Sequence, residues 1–336
     1  MRAVAYRRSL PAQDPQSLED VELSEPQPGP RDLLVRIEAV AVNPVDTKVR
    51  RNIDPAGVAK VLGYDAAGTV VAVGAGVSLF QVGDKVFHAG AIDRPGSNAQ
   101  LQLVDERIAG PMPASLDFAA AAAMPLTFIT AWELLFDRLG VRQGSDADTR
   151  ALLVVGGAGG VGSAAIQLAR CLTGLVVVAT ASRPESRQWC LDLGAHQVID
   201  HSRPLVEQWQ ALNLGGAGLV LALTNTDQHQ AALAEIVAPQ GAVGMIDDPK
   251  CFDMGLFKRK AVAVHWEFMF TRSLFQTSDM IEQHHLLKRV AELVDQGVLR
   301  STQAERLGRI DAATLRRAHQ MIEEGHTRGK LVLAGF

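Results

Sequence analysis

The chain has 336 residues, of which 47% are hydrophobic and 21% charged, and these ordinary globular fractions exclude disordered, collagen-like and disulfide-scaffold classes. The net charge is −4, from 33 basic and 37 acidic residues. Proteins that bind nucleic acid or anionic membranes usually have an excess of basic residues, and this chain has none. The length favours two domains over one.

The cysteines and the apolar stretches indicate in which cellular compartment the protein is expected. Cys171, Cys190 and Cys251 have no metal-ligand spacing and leave an odd thiol in any disulfide scheme, which favours a reducing interior. The N-terminus lacks an apolar run of signal-peptide length, and stretches such as residues 175–181 are too short to span a bilayer. We therefore expect a soluble, cytoplasmic protein.

The first ~120 residues carry the turns and alternating apolar positions of short strands. Strands are predicted at residues 33–42, 68–74 and 85–87, and no strong helical pattern interrupts them. This part of the chain predicts a largely antiparallel β domain.

From Ala119 onward, apolar strands alternate with helices. Residues 118–124 are rich in alanine and residues 130–139 have helical periodicity. The strands and helices predicted after them are strands 151–155, 175–180, 197–200, 218–222 and 242–246, and helices 162–172 and 185–193. Such a series predicts a parallel sheet covered on both faces. A last strand at 330–333 predicts a tail that completes the first domain.

A glycine-rich turn follows the first of these apolar strands and opens a helix, as dinucleotide-binding turns do. Gly157 permits the tight turn, Gly159 lets the backbone approach a pyrophosphate, and Gly162 lets the helix pack on the strand. Gly160 and Val161 lie at the helix N-terminus, where free N–H groups attract a diphosphate. The alternative, a glycine turn without a ligand, is disfavoured by this context.

The end of the second strand selects the cofactor. An NAD site places Asp or Glu there, whereas this chain has Ser182 followed by Arg183, with Arg187 one turn later. A hydroxyl and two guanidinium groups suit a 2′-phosphate, so we expect NADPH. The alternative is that both arginines are solvated residues at a helix start.

Six separated motifs now carry a family resemblance: residues 43–46, 63–68, 82–86, 157–162, 193–195 and 329–333. With them the chain resembles the medium-chain dehydrogenase/reductase superfamily, closest to the quinone oxidoreductase branch and a bacterial subgroup often labelled zinc-type alcohol dehydrogenase-like. The resemblance implies an α/β protein with a discontinuous GroES-like, mainly antiparallel β catalytic domain (1–123 and 263–336). It also implies a Rossmann doubly wound parallel-sheet domain (124–262), a cleft joining the two domains, and a homodimer.

Zinc enzymes of this superfamily use a cysteine, a His-Glu pair after glycine, and a further cysteine or acidic ligand. Here Asn43 and the pair Tyr64-Asp65 take these positions, and no cysteine precedes Cys171. A catalytic zinc needs three suitable protein ligands, so we expect no metal. His284 and His285 cannot replace them, because helix neighbours point about 100° apart.

Without a metal, a conjugated acceptor is the more feasible substrate, since hydrogen-bond donors can stabilise the enolate oxygen that hydride transfer creates. Asn43, Lys48 and Tyr64 are the candidate catalytic donors. Two alternatives stay open, namely that Lys48 faces solvent and that Asn43 only caps the turn before Pro44.

Further cofactor contacts are predicted outside the glycine turn. The resemblance implies that Thr127 approaches the nicotinamide and that Arg187 and His201 lie near the adenosine phosphate. Thr224 and Asn225 end a strand, where switch-point ligands are expected. Residues that either wall the substrate pocket or form plain core are Trp266, Phe268, Met269 and Phe270.

The sequence thus predicts an NADPH-dependent reductase of a quinone or an α,β-unsaturated carbonyl, acting as a homodimer without metal, nucleic acid or membrane. Residues 261–264 could pair across a sheet edge between copies. Two alternatives remain: a zinc-type alcohol dehydrogenase with unusual ligands, and a non-enzymatic NADPH-binding or sensing protein.

Overall fold

The computed structural model describes residues 1–144 and 148–336, and its strands fall into three sheets. The strands are, in chain order, β1 (Arg2–Tyr6), β2 (Glu19–Glu22), β3 (Asp32–Val42), β4 (Lys60–Val61), β5 (Asp65–Val73), β6 (Lys85–His88), β7 (Leu101–Asp105), β8 (Ala109–Pro111), β9 (Ala151–Val155), β10 (Val176–Thr180), β11 (Gln197–Ile199), β12 (Ala217–Ala222), β13 (Val237–Met245), β14 (Ala263–Trp266), β15 (Gln303–Gly308) and β16 (Lys330–Ala334). The helices are α1 (Pro44–Asn52), α2 (Phe118–Ala122), α3 (Pro125–Trp132), α4 (Gly160–Leu172), α5 (Pro184–Asp192), α6 (Leu205–Ala211), α7 (Thr226–Ile236), α8 (Gly255–Lys258), α9 (Thr271–Leu274), α10 (Glu282–Asp295) and α11 (Ala312–Glu323), with a 3-10 turn at Glu106–Ile108 and a π-helical segment at Glu133–Arg138.

The first unit, Met1–Ile129 with Phe270–Phe336, contains the mainly antiparallel sheets. Strands run in the order β15-β16-β3-β5-β6-β8, with β7 also on β3, and a smaller sheet has the order β2-β1-β4. The long strand β3 has β16 on one side and β5 on the other, so the end of the chain returns to this unit as predicted.

The second unit, Thr130–Met269, contains a six-stranded parallel sheet in the order β11-β10-β9-β12-β13-β14. Its central strands β9 and β12 are buried along their whole length, which is why they consist of uninterrupted apolar residues. The chain extends the sheet from β9 to one side and then from β12 to the other. This reversal creates a switch point, where open α/β sheets bind ligands. The predicted fold class, a GroES-like domain with a Rossmann domain, is confirmed.

Two expectations about the first half of the chain were wrong. Helix α1 interrupts the β domain, and the sequence missed it because its apolar positions are few. It is fixed instead by a capping box, in which Asn43 and Asp46 satisfy each other's backbone N–H groups, and by a proline in its first turn.

The other wrong expectation was that every apolar stretch is too short to span a bilayer. The helical run Phe118–Arg138 is long and apolar enough to cross a membrane by length and composition, although 83% of its most apolar window is buried inside the structure. That burial is typical of a core helix.

The unit boundaries lie a few residues later in the chain than predicted. Residues 124–129 belong to the first unit. Strand β14 pairs in parallel with β13, which brings residues 263–269 into the second unit instead of the first. The strand predicted at residues 261–264 is therefore shifted by two positions and is the last strand of the parallel sheet.

Candidate active site

The glycine turn between β9 and α4 contains two kinds of glycine. A Cβ on Gly162 would lie 2.5 Å from the carbonyl oxygen of Gly156, and a Cβ on Gly157 would lie 2.7 Å from the Cβ of Ala179. These two glycines are required by the packing of the turn itself. A Cβ on Gly159 would meet only the Gly156 oxygen, at 3.4 Å, so the space above Gly159 is open. Open space over this backbone is what a diphosphate needs.

Helix α4 supplies the other part of the phosphate site. It begins at Gly160 directly after the turn and runs for 13 residues, with Gly159 as its N-cap. The first N–H groups of a helix have no partner within the helix, so those of Gly160, Val161 and Gly162 are suited to an anion. The turn is tied to β10, because the N–H of Gly156 donates to Thr180 Oγ1 at 3.0 Å.

Polar and basic side chains follow the end of β10. Ser182 is exposed, and Arg183 and Arg187 are half-exposed at the start of α5. The Arg183 guanidinium approaches Ser186 Oγ at 3.3 Å and Glu185 at 3.6 Å. The tip itself carries a serine hydroxyl instead of a carboxylate, so a 2′-phosphate would meet no negative charge at that position.

The predicted residues after β12 lie at the same edge of the sheet. Thr224 is half-buried, and its methyl group packs where a Cβ on Gly156 would lie. Asn225 has a φ of +51°, in the left-handed region that Asn tolerates better than most residues. His201, which follows β11, bonds through Nδ1 to Thr180 Oγ1 at 3.0 Å. The second unit thus brings the predicted residues of the glycine turn, the β10 tip and the β12 end to one edge.

A buried polar cluster lies in the first unit, where β3, β5 and β16 run side by side. The carboxylate of Asp65 accepts hydrogen bonds from Lys330 Nζ (2.8 Å), from Asn43 Nδ2 (2.8 Å) and from the N–H of Leu126 (2.7 Å). Lys330 also donates to Asn43 Oδ1 and to the carbonyl oxygen of Val42. This network fixes the N-cap of α1 and the start of α3 relative to the sheet.

Asp46 forms a second buried carboxylate beside this network. Its two oxygens accept from the N–H groups of Asn43 (2.7 Å) and Gly63 (3.0 Å). Burial raises the pKa of Asp46 to about 7, although these two hydrogen bonds and the charge of Lys330 act in the opposite direction. The carboxyl of Asp46 therefore holds a proton at mildly acidic pH.

Tyr64 is one of the three donors predicted from the sequence. Its side chain is buried, and its ring makes an edge contact with Phe270 at 5.2 Å between centroids. Burial, and then the charge of Asp46, raise the pKa of Tyr64 above its ordinary value. The phenol keeps its proton throughout the physiological range. Among the residues that the structure describes, no hydrogen bond holds its oxygen.

The remaining predicted donors are placed differently. Both polar atoms of the Asn43 amide already have hydrogen-bond partners, because its nitrogen donates to Asp65 and its oxygen accepts from Lys330. Lys48 lies on the exposed face of α1, as the alternative for this residue stated. Thr127 is buried on α3 and donates from its hydroxyl to the carbonyl oxygen of Met124 at 3.1 Å.

The four residues predicted either to wall the substrate pocket or to form plain core differ in burial. Trp266 and Phe268 are about half exposed, whereas Met269 and Phe270 are buried. The group is also divided between the two units, because Phe270 begins the second part of the first unit. Phe270 is the member with a ring contact to Tyr64.

Two family models match the chain. The Alcohol dehydrogenase GroES-like domain model matches residues 29–114, and the Zinc-binding dehydrogenase model matches residues 193–333. A zinc-type alcohol dehydrogenase-like protein of Staphylococcus epidermidis is 36% identical over 335 residues, which is 99% of each chain. The chain belongs to the medium-chain dehydrogenase/reductase superfamily.

Solved structures and a more distant relative extend this result. A crystal structure titled as a putative zinc-dependent alcohol dehydrogenase of Rhizobium etli is 55% identical, with a TM-score of 0.97 over 100% of this chain and 98% of that one. A mycobacterial structure solved with NADPH is 26% identical, with a TM-score of 0.83 over 99% of each chain. A quinone oxidoreductase of Rattus norvegicus is 36% identical over 179 residues, 52% of each chain. Medium-chain dehydrogenases/reductases are oxidoreductases that bind a nicotinamide cofactor.

The names of these relatives raise the question of zinc, and the residues of this medium-chain dehydrogenase/reductase do not fit it. Both polar atoms of the Asn43 amide have partners, both oxygens of Asp65 accept from N–H donors, and the Tyr64 phenol retains its proton. Within residues 1–144 and 148–336, no group of three or more His, Cys, Asp and Glu could hold a metal ion. His284 is buried against the Ala109 carbonyl oxygen and His285 is exposed.

Sequence reasoning missed Asp65, Lys330 and Asp46 as parts of this site. Asp65 and Lys330 stood inside two of the recognised motifs, yet neither received a role. The pairing of an acid after Tyr64 with a lysine at the start of the last strand was the available signal. It becomes visible only when β16 is aligned with β3 and β3 with β5.

Proposed function

We propose that this protein is an NADPH-dependent reductase that transfers hydride to a quinone or an α,β-unsaturated carbonyl without a catalytic metal. The observation that carries the proposal is the buried Tyr64 phenol, protonated and without a hydrogen-bond partner among the described residues. Its position after Gly63 is where zinc relatives carry a histidine ligand. A hydrogen-bond donor replaces a Lewis acid there, which suits a substrate whose developing charge is a delocalised enolate.

The chain's own residues perform the supporting steps. The helix α4 N-terminus and the backbone of Gly159 bind the diphosphate, and Ser182, Arg183 and Arg187 hold the 2′-phosphate. NADPH, when bound, supplies the hydride. The Tyr64 hydroxyl donates a hydrogen bond to the substrate oxygen as charge develops on it. The network around Asp65 keeps the backbone beside Tyr64 rigid, so this donor requires little reorganisation during the reaction.

The preference for NADPH rests on the β10 tip, where Ser182 takes the position of the NAD-selecting carboxylate and Arg183 follows it. The direct test is kcat/KM with NADPH and with NADH for the wild type and for Arg183→Glu. The wild type should prefer NADPH, and the variant should lose or reverse the preference, since its carboxylate repels phosphate and accepts hydrogen bonds from ribose hydroxyls. Equal kcat/KM for both cofactors in the wild type would contradict the preference.

A substrate panel tests the reaction itself. NADPH consumption should occur with quinones and enones and be negligible with simple ketones, which lack the conjugated path for the negative charge. Tight NADPH binding without turnover on any acceptor would favour a binding or sensing protein. Activity with simple alcohols that requires zinc would favour the alcohol dehydrogenase alternative.

The proposal includes a cytoplasmic homodimer without nucleic-acid or membrane partners. Among residues 1–144 and 148–336, Cys171, Cys190 and Cys251 form no disulfide bond, which suits a reducing compartment. Strand β14 is the last strand of the parallel sheet, and Trp266 at its end is half exposed, which suits pairing with a second copy. Light scattering of the purified protein tests the dimer, and a monomeric mass at micromolar concentration would contradict it.

A further inference from the structure

Two imidazoles meet at the edge of the parallel sheet where the cofactor site was located. His201 follows β11, and His229 lies in the first turn of α7, which begins after β12. Their ring centroids are 6.4 Å apart, with the planes tilted by 51°. Both side chains are half-buried, so each keeps a face toward solvent.

His201 is connected to the glycine turn by hydrogen bonds through Thr180. His201 Nδ1 bonds to Thr180 Oγ1 at 3.0 Å, and the same hydroxyl oxygen accepts the N–H of Gly156 at 3.0 Å. This fixes the His201 ring relative to the backbone that precedes the phosphate-binding helix. A group held by His201 therefore has a defined position relative to the diphosphate site.

Charged groups face the two rings from the neighbouring elements. Arg183, the N-cap residue of α5, and Asp200, which follows β11, act on His201. Asp247, which follows β13, acts on His229, while its carboxylate also accepts from the N–H and the hydroxyl of Thr226. The site next to Arg183 thus contains two titratable rings. The family resemblance implies a place near the adenosine phosphate for His201, and it assigns no role to His229 or to the pair.

The surroundings of both rings favour the neutral form in the free protein. Burial lowers the pKa of His201, the Arg183 charge lowers it further, and Asp200 opposes them. Burial lowers the pKa of His229 as well, with His201 adding to the effect and Asp247 opposing it. A neutral pair can take up a proton when an anion arrives, because an adjacent negative charge favours the imidazolium form.

We propose that His201 and His229 form a proton-linked phosphate site, in which binding of the cofactor 2′-phosphate is coupled to uptake of a proton by this pair. The selectivity for NADPH over NADH then increases as the pH falls toward 6.5. The proposal rests on the proposed use of NADPH and adds a specificity-determining pair to Ser182, Arg183 and Arg187.

The direction of proton exchange distinguishes this arrangement from a site made only of arginines. A phosphate monoester has its second pKa near about 6, so fixed cations draw its remaining proton off and binding releases protons. Histidines that gain charge on binding take protons up instead. If one proton is taken up in full, the NADPH affinity rises by about tenfold for each pH unit of acidification.

Isothermal titration calorimetry at pH 7.0 in two buffers of different ionisation enthalpy gives the number of protons exchanged. Wild-type protein should take up a net fraction of a proton with NADPH and almost none with NADH. Over pH 8.0 to 6.5 the ratio of the NADH Kd to the NADPH Kd should rise severalfold. These are binding measurements, so they do not depend on turnover.

The variants His201→Gln and His229→Gln, singly and together, localise the effect. The double variant should lose the proton uptake and about tenfold in NADPH affinity at pH 6.5, while its NADH affinity stays within twofold. His285→Gln, an exposed histidine of the first unit, is the matched control and should behave as wild type.

Proton release, or no exchange, on tight NADPH binding would overturn this proposal and leave the NADPH preference standing. Uptake that persists in the double variant would also overturn it. If NADPH binds no more tightly than NADH at any pH, the cofactor preference itself is wrong, and the histidine proposal fails with it.

Discussion

Lys330 Nζ lies 2.8 Å from Asp65 Oδ2, and neither side chain is more than 3% exposed. The two residues are 265 positions apart in the chain, so their pair joins the last strand to the region that carries Tyr64. A buried carboxylate left without its cation is costly, whereas an exposed pair contributes little. This contact therefore anchors the last strand to the part of the first unit that contains Tyr64.

Lys330→Met should lower the free energy of unfolding by about 3 kcal/mol or more, because it removes the cation that pairs with the buried Asp65 carboxylate. The double variant with Asp65→Asn should lose less than the sum of the two single changes. Urea unfolding measures all three. As a control, Arg36→Ala removes an exposed partner of Glu38 and should cost less than about 1 kcal/mol. A Lys330→Met protein as stable as the control would refute the anchoring role.

Asp46 predicts a pH dependence of stability. Its pKa in the folded protein is raised by burial to about 7, so the folded state binds more protons than the unfolded state between roughly pH 4 and 7. The contribution of Asp46 is therefore fully present below pH 4 and is lost as the pH rises through 7. Between pH 5.0 and pH 7.5, the free energy of unfolding should decrease more for the wild type than for Asp46→Asn. Other groups titrate equally in both proteins, so parallel curves would show that Asp46 is ionised throughout.

The glycine turn allows folding and binding to be separated with two alanine variants. Gly162→Ala places a methyl group 2.5 Å from a backbone oxygen, so it should lower the melting temperature. Gly159→Ala meets only an ordinary contact at 3.4 Å, so it should keep the melting temperature. It should nevertheless weaken NADPH binding by tenfold or more, about 1.4 kcal/mol, since the methyl group occupies the space intended for the diphosphate. Undiminished binding by a well-folded Gly159→Ala protein would mean that the diphosphate lies elsewhere.

Tyr64 should act only as charge develops. Tyr64→Phe should lower kcat on the order of tenfold, about 1.4 kcal/mol of barrier, with little change in substrate KM. The chain has 2 tyrosines, and the other gives a matched control. Tyr6→Phe loses a hydrogen bond to the Ile53 carbonyl oxygen, so it should lower stability by about 1 kcal/mol and leave kcat unchanged. A wild-type kcat for Tyr64→Phe with both a quinone and an enone would remove this residue from the chemistry.

The sequence predicted the parallel sheet well because its strands are fully buried and therefore continuously apolar. Strand β9 begins and ends where the apolar run 151–155 does. Helix α1 was not predicted because it has few apolar positions and is specified by its N-terminal cap. In the sequence, the Asn43-Pro44 pair that forms this cap was interpreted only as a turn. Strand β14 was placed in the wrong unit because its own pattern does not say which sheet edge it joins.

The candidate site was predictable where one local segment forms it and not where distant strands meet. The glycine turn, Ser182 and Arg183 lie within one β-α-β unit, so their roles could be read from spacing. The bond between Lys330 and Asp65 depends on the register of β16 on β3 and of β3 on β5. A single sequence does not specify that register. For the same reason Asn43 was expected to face substrate, although the network commits its amide to Asp65 and Lys330.

The most direct test of metal-free reduction combines two measurements on one sample of protein. Zinc content is determined by mass spectrometry after purification and again after dialysis against a chelator, and NADPH-dependent quinone reduction is assayed on the same aliquots. We predict full activity at zinc levels far below one ion per chain, since the residues around Asn43, Tyr64 and Asp65 do not offer a zinc-binding donor set. Stoichiometric zinc whose removal abolishes activity, and whose return restores it, would contradict the account.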